Sequence, residues 1–349
     1  MATVTLDHVS FTYPGSSTPV IVDMNLQIEH GSAHALLGAS GAGKTTILGL
    51  LSGLLHPCSG SIRIDGRDVS AERARKRNVA QVFQFPVTYE SISVLENLTL
   101  PLTSRGWSTA EAATRAREIA RELDIDHVLA ATPDQLPLFE KQLVAISKAL
   151  VRDDVDLVLL DEPLTAVEPA IKWQVRQTLN KFQAAHDLTM VYVTHDQTEA
   201  LTYADSVSVM ADGTILQTGT PASIYHQPAS PFVGEFVGSP GMQFVTCLVR
   251  AGRMTVAGET LRHVDVEDGQ YLLGVRPDWI GLSTAGPWRI ADSQVLGTQS
   301  GIEVSMHRIT HPDGSLLVRH VGEFALDSSV SLTLDHFTLF LGDEAVVHE

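Results

Sequence analysis

The chain has 349 residues, enough for two domains with sizeable cores. Its 44% hydrophobic and 19% charged composition is that of an ordinary globular protein. A formal net charge of -17 argues against a nucleic-acid partner, which needs clustered Lys and Arg, and is read as serving solubility. The two cysteines, Cys58 and Cys247, have neither disulfide-framework nor metal-ligand spacing and fit a reducing compartment.

No signal peptide is expected ahead of the first strand-like run, Val4–Val9, and no apolar run reaches the roughly 20 residues of a membrane helix. Residues 1 to about 237 read as α/β with a mostly parallel sheet, because short apolar runs alternate with helical patterns. Tyr13 precedes a Pro-Gly turn and either stacks on a base or packs as an edge-strand aromatic. The buried-strand candidates are Ala33–Leu37, Val79–Phe83, Leu157–Leu160, Met190–Thr194 and Val207–Met210.

After the first of these comes Gly38-Ala39-Ser40-Gly41-Ala42-Gly43-Lys44-Thr45-Thr46, a G-x-x-x-x-G-K-[ST] phosphate loop, followed by a predicted helix over Thr45–Leu51. Its glycines let backbone N–H groups turn toward phosphate oxygens, and the helix N-terminus favours an anion. Lys44 is expected on the β- and γ-phosphates and Thr45 on Mg²⁺. The alternative, a Gly-rich turn that binds nothing, does not explain the strand–loop–helix order. Gln84, past Val79–Phe83, is a candidate for touching Mg²⁺ and an attacking water, or else an ordinary loop amide.

From Val94 to Leu150 the texture becomes helical, with helices predicted over Thr109–Leu123 and Leu143–Val151. Leu157–Leu160 then ends in Asp161-Glu162. Asp161 can hold Mg²⁺ through water and Glu162 can act as general base toward water; without the phosphate loop the pair would read as a solvated strand end. His195 ends the run Met190–Thr194, where it is either structural or a reporter of the γ-phosphate. Gly238-Ser239-Pro240-Gly241 reads as a linker. Beyond it, alternating Val, Thr and Leu with turns at Asp268-Gly269 and Asp313-Gly314 predict an all-β barrel.

This ordered set resembles the ATP-binding subunits of ABC transporters. Tyr13 matches the family's adenine-stacking aromatic, Gly38–Thr46 its Walker A, Gln84 its Q-loop, Asp161 and Glu162 its Walker B with the catalytic glutamate. His195, within Tyr192-Val193-Thr194-His195-Asp196-Gln197-Thr198-Glu199-Ala200, matches its switch histidine. The resemblance implies ATP and Mg²⁺ as cofactors, catalytic roles for Glu162, His195 and Gln84, and Thr45, Gln84 and Asp161 on the metal. It implies a P-loop ATPase domain over residues 1–237 with a helical subdomain at about 86–153, and an oligonucleotide-binding-like regulatory barrel over 238–349.

Gly238–Met242 and Gly274-Val275-Arg276-Pro277-Asp278 resemble the linker and barrel of sugar-importer ATPases of the maltose and glycerol-phosphate type. The partners so implied are two membrane-spanning permease subunits and, indirectly, a periplasmic solute-binding protein, with the chain peripheral on the cytoplasmic face of the bacterial inner membrane. A helix of the permease is expected on the surface around Gln84, Phe85 and Val94–Leu98.

One departure is large. Where the family's signature reads L-S-G-G-Q, this chain has Leu136-Pro137-Leu138-Phe139-Glu140. In the family this loop reaches the partner's ATP. Pro137 lacks both a hydroxyl and an N–H, Leu138 and Phe139 add bulk, and Glu140 adds negative charge near an anion. The loop Leu164–Glu168 also ends in Glu where the family usually has Asp. The expectation is a second, non-identical ATPase with an intact signature. Gln84-Phe85-Pro86-Val87 and Lys172-Trp173-Gln174 resemble segments of the paired ATPases of bacterial glycerol importers.

Three other functional classes compete for this sequence. A soluble ABC-type ATPase of repair or translation needs a second cassette, a coiled coil or a basic face. A regulatory ATP binder has no need of Glu162 and His195, and a P-loop kinase needs an acceptor site in their place.

Overall fold

A computed structural model of the chain describes residues 3–165, 167–299, 302–322 and 324–349. The chain forms two compact units, Met1–Pro221 and Ala222–Glu349.

In the first unit, β1 (Val4–Phe11), β2 (Ile21–Ile28), β4 (Ser59–Ile64) and β5 (Arg67–Asp68) make an antiparallel sheet in the order β2-β1-β4-β5. This sheet is not apparent in the sequence beyond the run in β1. Its strands bury one face only, so β2 alternates buried Met24, Leu26 and Ile28 with exposed polar residues.

The central sheet runs β10-β9-β3-β8-β7-β6, with β3 (Ala33–Gly38), β6 (Val79–Val82), β7 (Leu157–Asp161), β8 (Thr189–Thr194), β9 (Ser206–Ala211) and β10 (Thr214–Gly219). Pairs β6/β7, β7/β8, β8/β3 and β3/β9 are parallel, and only β10 is antiparallel. Every residue of β3, β7 and β8 is buried, which is why they read as uninterrupted apolar runs. Truncating one such side chain, Leu36 or Val191 for example, would cost about 2–5 kcal/mol.

Helix α1 (Lys44–Ser52) follows β3. Buried Arg77 caps its far end, donating to the carbonyls of Leu50 and Leu51 that the helix leaves without partners. Helices α2 (Val94–Thr103), α3 (Thr109–Glu122) and α4 (Leu138–Leu150) form the helical insertion. The first two open on capping boxes, Ser93 with Glu96 and Ser108 with Glu111, each cap worth about 1 kcal/mol. Helix α4 begins five residues before the predicted Leu143, because Pro137 sits at its N-cap and Leu138, Phe139 and Glu140 make its first turn. Helices α5 (Pro169–His186) and α6 (Gln197–Tyr203) flank β8 in sequence.

The second unit opens with two short helices, α7 (Pro221–His226) and α8 (Pro231–Phe236). Its strands are β11 (Gln243–Arg250), β12 (Arg253–Val256), β13 (Glu259–His263), β14 (Gly269–Val275), β15 (Ile280–Gln299), β16 (Ile302–His311), β17 (Gly314–Val321), β18 (Ser329–Leu334), β19 (Thr338–Leu341) and β20 (Glu344–His348). They form two antiparallel sheets, β13-β12-β11-β14-β19-β20 and β17-β16-β15-β18, around a core that includes Val249, Leu273, Trp288, Ile309 and Leu339. The C-terminal part is therefore all-β, as expected.

The division falls at Pro221, ahead of the Gly238–Gly241 linker. Arg276 explains why: its guanidinium stacks on the Tyr225 ring at 3.9 Å and donates to the carbonyls of Tyr225 and Val237, tying the short helices to the end of β14.

Candidate functional site

The residues singled out in the sequence meet at the carboxyl ends of the parallel strands, where α/β sheets bind ligands. Gly38 closes β3, Gln84 lies just past β6, Asp161 ends β7 with Glu162 next, and His195 follows β8. The loop after β3 is shaped by glycine. Gly43 has φ +101° at the N-cap of α1, and a Cβ on Gly38 would lie 2.6 Å from the Met210 carbonyl oxygen. Ser40, Gly41, Gly43, Lys44, Thr45, Thr46 and Glu162, with Val20, line a cavity of about 250 Å³. Ala42, in the same loop, is buried.

Lys44 folds back inside this loop. Its Nζ donates to the Gly38 carbonyl at 2.7 Å and the Ala39 carbonyl at 2.9 Å. Burial pushes its pKa down, against the opposing pull of the Glu162 and Asp161 charges. Thr45 Oγ1 donates to Asp161 Oδ1 at 3.4 Å. Asp161 is held above the usual carboxylate range, first by burial and then by the neighbouring Glu162 charge. A hydroxyl and a carboxylate beside a second carboxylate are a hard-oxygen set that fits Mg²⁺ completed by nucleotide phosphates.

Glu162 is the centre of the arrangement. Its φ of +44° is uncommon for a non-glycine residue, and its N–H donates to the Val193 carbonyl at 3.0 Å. Three side chains hold its carboxylate. Gln84 Nε2 donates to Oε2 at 3.4 Å, Thr165 Oγ1 donates to Oε2 at 3.2 Å, and His195 Nδ1 lies 3.2 Å from Oε1. Gln84 is thus engaged with the carboxylate rather than with Asp161 or Thr45. Thr165 was not singled out in the sequence. Its only signal is its position three residues past Glu162, and Ala166 of the same loop lies outside the described residues.

Tyr13 sits at the edge of this set. Its hydroxyl is 3.0 Å from Thr46 Oγ1, and its ring meets Phe11 edge-on with centroids 4.9 Å apart. Tyr13 is 42% exposed, so it is open to a base from solvent.

None of the contacts above involves Leu136–Glu140. Leu138 is exposed, Phe139 packs against the core, and Glu140 Oε1 lies 3.2 Å from His127 Nε2. Phe83, Phe85, Val87 and Tyr89 form an exposed apolar run past β6, with Phe85 72% exposed. Beside them Val87, Pro101, Arg105, Lys148, Ala149 and Arg152 line a groove of about 300 Å³. Among the described residues no helix is long and apolar enough to cross a membrane.

The pattern that defines the ABC transporter family matches residues 21–165. The sn-glycerol-3-phosphate import ATP-binding protein UgpC of Vibrio vulnificus is 39% identical over 262 residues, 74% of this chain and 70% of that protein. The trehalose import ATP-binding protein SugC of Mycobacterium tuberculosis is 38% identical over 291 residues, 80% of this chain and 73% of that one. Among solved structures, the dimeric post-hydrolysis state of the ATP-binding cassette MJ0796, bound to ADP and Pi, has a TM-score of 0.57 at 26% identity and covers 62% of this chain and 98% of its own. The phosphate loop, the paired carboxylates and these relatives together establish that the chain belongs to the ABC transporter family, as one of its ATP-binding, ATP-hydrolysing subunits.

Proposed function

We propose that the chain powers an importer of a small polyol or carbohydrate, with glycerol as the favoured solute, from the cytoplasmic face of a bacterial inner membrane. In this reading residues 1–237 are the nucleotide-binding domain, with a helical subdomain at about 86–153, and residues 238–349 are a regulatory domain. The relatives carry the import reading, since both act in uptake of small hydroxylated solutes by their names. The observation that carries the chemistry is the Glu162 carboxylate, held between Gln84, Thr165 and His195 at the mouth of the phosphate loop.

ATP phosphates would lie along Gly38–Thr46, with Lys44 on the β- and γ-phosphates, Tyr13 against adenine, and Thr45, Asp161 and Gln84 around Mg²⁺. That ion, when bound, neutralises phosphate charge. Glu162 takes the proton of the attacking water, and His195 contacts the γ-phosphate. Glu162→Gln keeps the shape but not the basicity. Turnover should fall by about 10²–10⁴-fold while ATP still binds, read by steady-state hydrolysis and equilibrium binding of a fluorescent ATP analogue. Wild-type turnover would remove Glu162 from the role of base.

Two permease subunits, served by a periplasmic solute-binding protein, are the membrane partners of this reading. The exposed Phe83–Tyr89 run beside the groove lined by Arg105, Lys148 and Arg152 supports a docking helix there. A second, non-identical ATPase is favoured by one observation. The signature position presents exposed Leu138 and a Glu140 paired with His127, where a phosphate-binding partner surface needs N–H and hydroxyl donors.

A further inference from the structure

Glu199 is a buried carboxylate that none of the roles above uses. It is 3% exposed, in the first turn of α6. A charge in that position is costly unless it is paired and hydrogen-bonded. It is both. Lys172 Nζ lies 3.1 Å from Oε1, while Tyr192 Oη and Thr194 Oγ1 donate to Oε2 at 2.8 and 2.9 Å.

The donors come from two segments that bracket the hydrolytic pair. Tyr192 and Thr194 lie at the end of β8, and Thr194 immediately precedes His195. Thr194 Oγ1 also accepts from the Asp196 N–H at 2.9 Å, so both chain neighbours of His195 are fixed. Asp196 in turn caps α6, accepting from the Thr198 and Glu199 N–H groups. Lys172 belongs to the first turn of α5, where its N–H donates to the Glu168 carbonyl at 2.9 Å. Glu168 ends the loop that begins at Glu162 and carries Thr165. A single carboxylate therefore ties the end of the histidine strand to the end of the glutamate loop.

We infer that Glu199 is a positioning residue for ATP hydrolysis, holding the His195 backbone and the Glu162–Glu168 loop at one fixed separation through Thr194 and Lys172. The inference rests on the reading of Glu162 and His195 as the hydrolytic pair. If Glu199 lets go, His195 and Glu162 lose their 3.2 Å approach while the phosphate loop, built on β3 and α1, is untouched. Misplacement on the ångström scale costs up to about 10²-fold in rate. The predicted signature is a loss confined to kcat.

The test uses the complex that copurifies with this chain. Glu199→Gln keeps an acceptor for Tyr192 and Thr194 but turns an amide toward the Lys172 ammonium. Lys172→Met removes the ion pair and leaves both hydroxyl contacts in place, so it carries the test should Glu199→Gln not fold. Each variant should lower kcat at least tenfold, with KM and fluorescent-ATP affinity within twofold of wild type; the thermal midpoint should fall in Lys172→Met, where a buried carboxylate loses its partner. Lys172→Arg should restore kcat to within threefold. Wild-type kcat in both Glu199→Gln and Lys172→Met would overturn the inference, as would a loss of ATP affinity in step with kcat or a failure of Lys172→Arg to restore kcat. The underlying reading fails by a different result: His195→Ala and Glu162→Gln retaining full turnover, whatever Glu199 does.

Discussion

His34 occupies the middle of the sheet, on the strand that leads into the phosphate loop. Its side chain is fully buried, with Nδ1 2.6 Å from Ser206 Oγ and Nε2 3.0 Å from Ser208 Oγ. Both hydroxyls can serve a neutral imidazole, one accepting and one donating, and burial lowers its pKa to about 4. Unfolded, the ring titrates near its ordinary value of about 6.5. Between these values the unfolded chain binds a proton that the folded chain refuses. Stability is thus complete above pH 6.5 and falls as pH drops toward 4. From this group alone the loss between pH 7 and pH 5 should be about 2 kcal/mol. Urea unfolding at the two pH values should report it, and His34→Gln should flatten the difference by that amount. An undiminished pH slope in the variant would assign the acid sensitivity to other groups.

At the scale of elements, the segment after β6 exposes four large apolar side chains, Phe83, Phe85, Val87 and Tyr89. Lys148 fixes its shape, donating to the Val87 carbonyl at 2.8 Å with its ammonium 4.8 Å from the centre of the Tyr89 ring. Arg105 and Arg152 both pair with Asp154, so the groove is held open by side chains already committed to one another. A Phe side chain is worth about 1.5–3 kcal/mol on burial. Phe85→Asp should therefore weaken assembly with the permease at least tenfold and uncouple hydrolysis from uptake, while the isolated chain binds ATP as before. Unchanged uptake by that variant in reconstituted vesicles would remove this segment from the docking surface.

The same elements mark what was legible in the sequence. Strands β3, β7 and β8 are short, apolar and fully buried and β9 nearly so, so runs such as Ala33–Leu37 and Leu157–Leu160 point to them within a residue or two, while β6 at the sheet edge is only half buried. Helix α2 hides behind Pro101, although Ser93 and Glu96 write a capping box ahead of it. Helix α4 begins early because Pro, disfavoured inside helices, is well suited to the position just outside one. Local motifs gave the phosphate loop, the paired carboxylates and His195. They could not give Thr165 on Glu162, or Lys172 on Glu199, because those contacts are set by where the ends of strands and helices meet.

On the scale of the whole molecule, the proposed pairing with a non-identical ATPase makes the two catalytic sites of the assembly unequal. One joins Gly38–Thr46, Glu162 and His195 to a partner signature. The other joins the partner's phosphate loop to Leu136–Glu140, where α4 begins without a side-chain cap and with Glu140 in its first turn. A helix start normally welcomes an anion, but here a carboxylate already occupies that role. Losing one preorganised donor typically costs about 10²–10³ in rate. In the purified assembly, Glu162→Gln should therefore abolish nearly all turnover, and the equivalent change in the partner should leave more than half. Equal losses would mean that Leu136–Glu140 supports hydrolysis as well as an intact signature does.

The order β8-β7-β6 within the central sheet sets one more thing. His195, Glu162 and Gln84 each stand just past the end of one of three successive strands. Neighbouring strands are spaced about 4.8 Å apart by their backbone hydrogen bonds. The backbone is thus a ruler, and the three side chains are its graduations. Altering the spacing of the three backbones that carry histidine, glutamate and glutamine would require breaking a sheet.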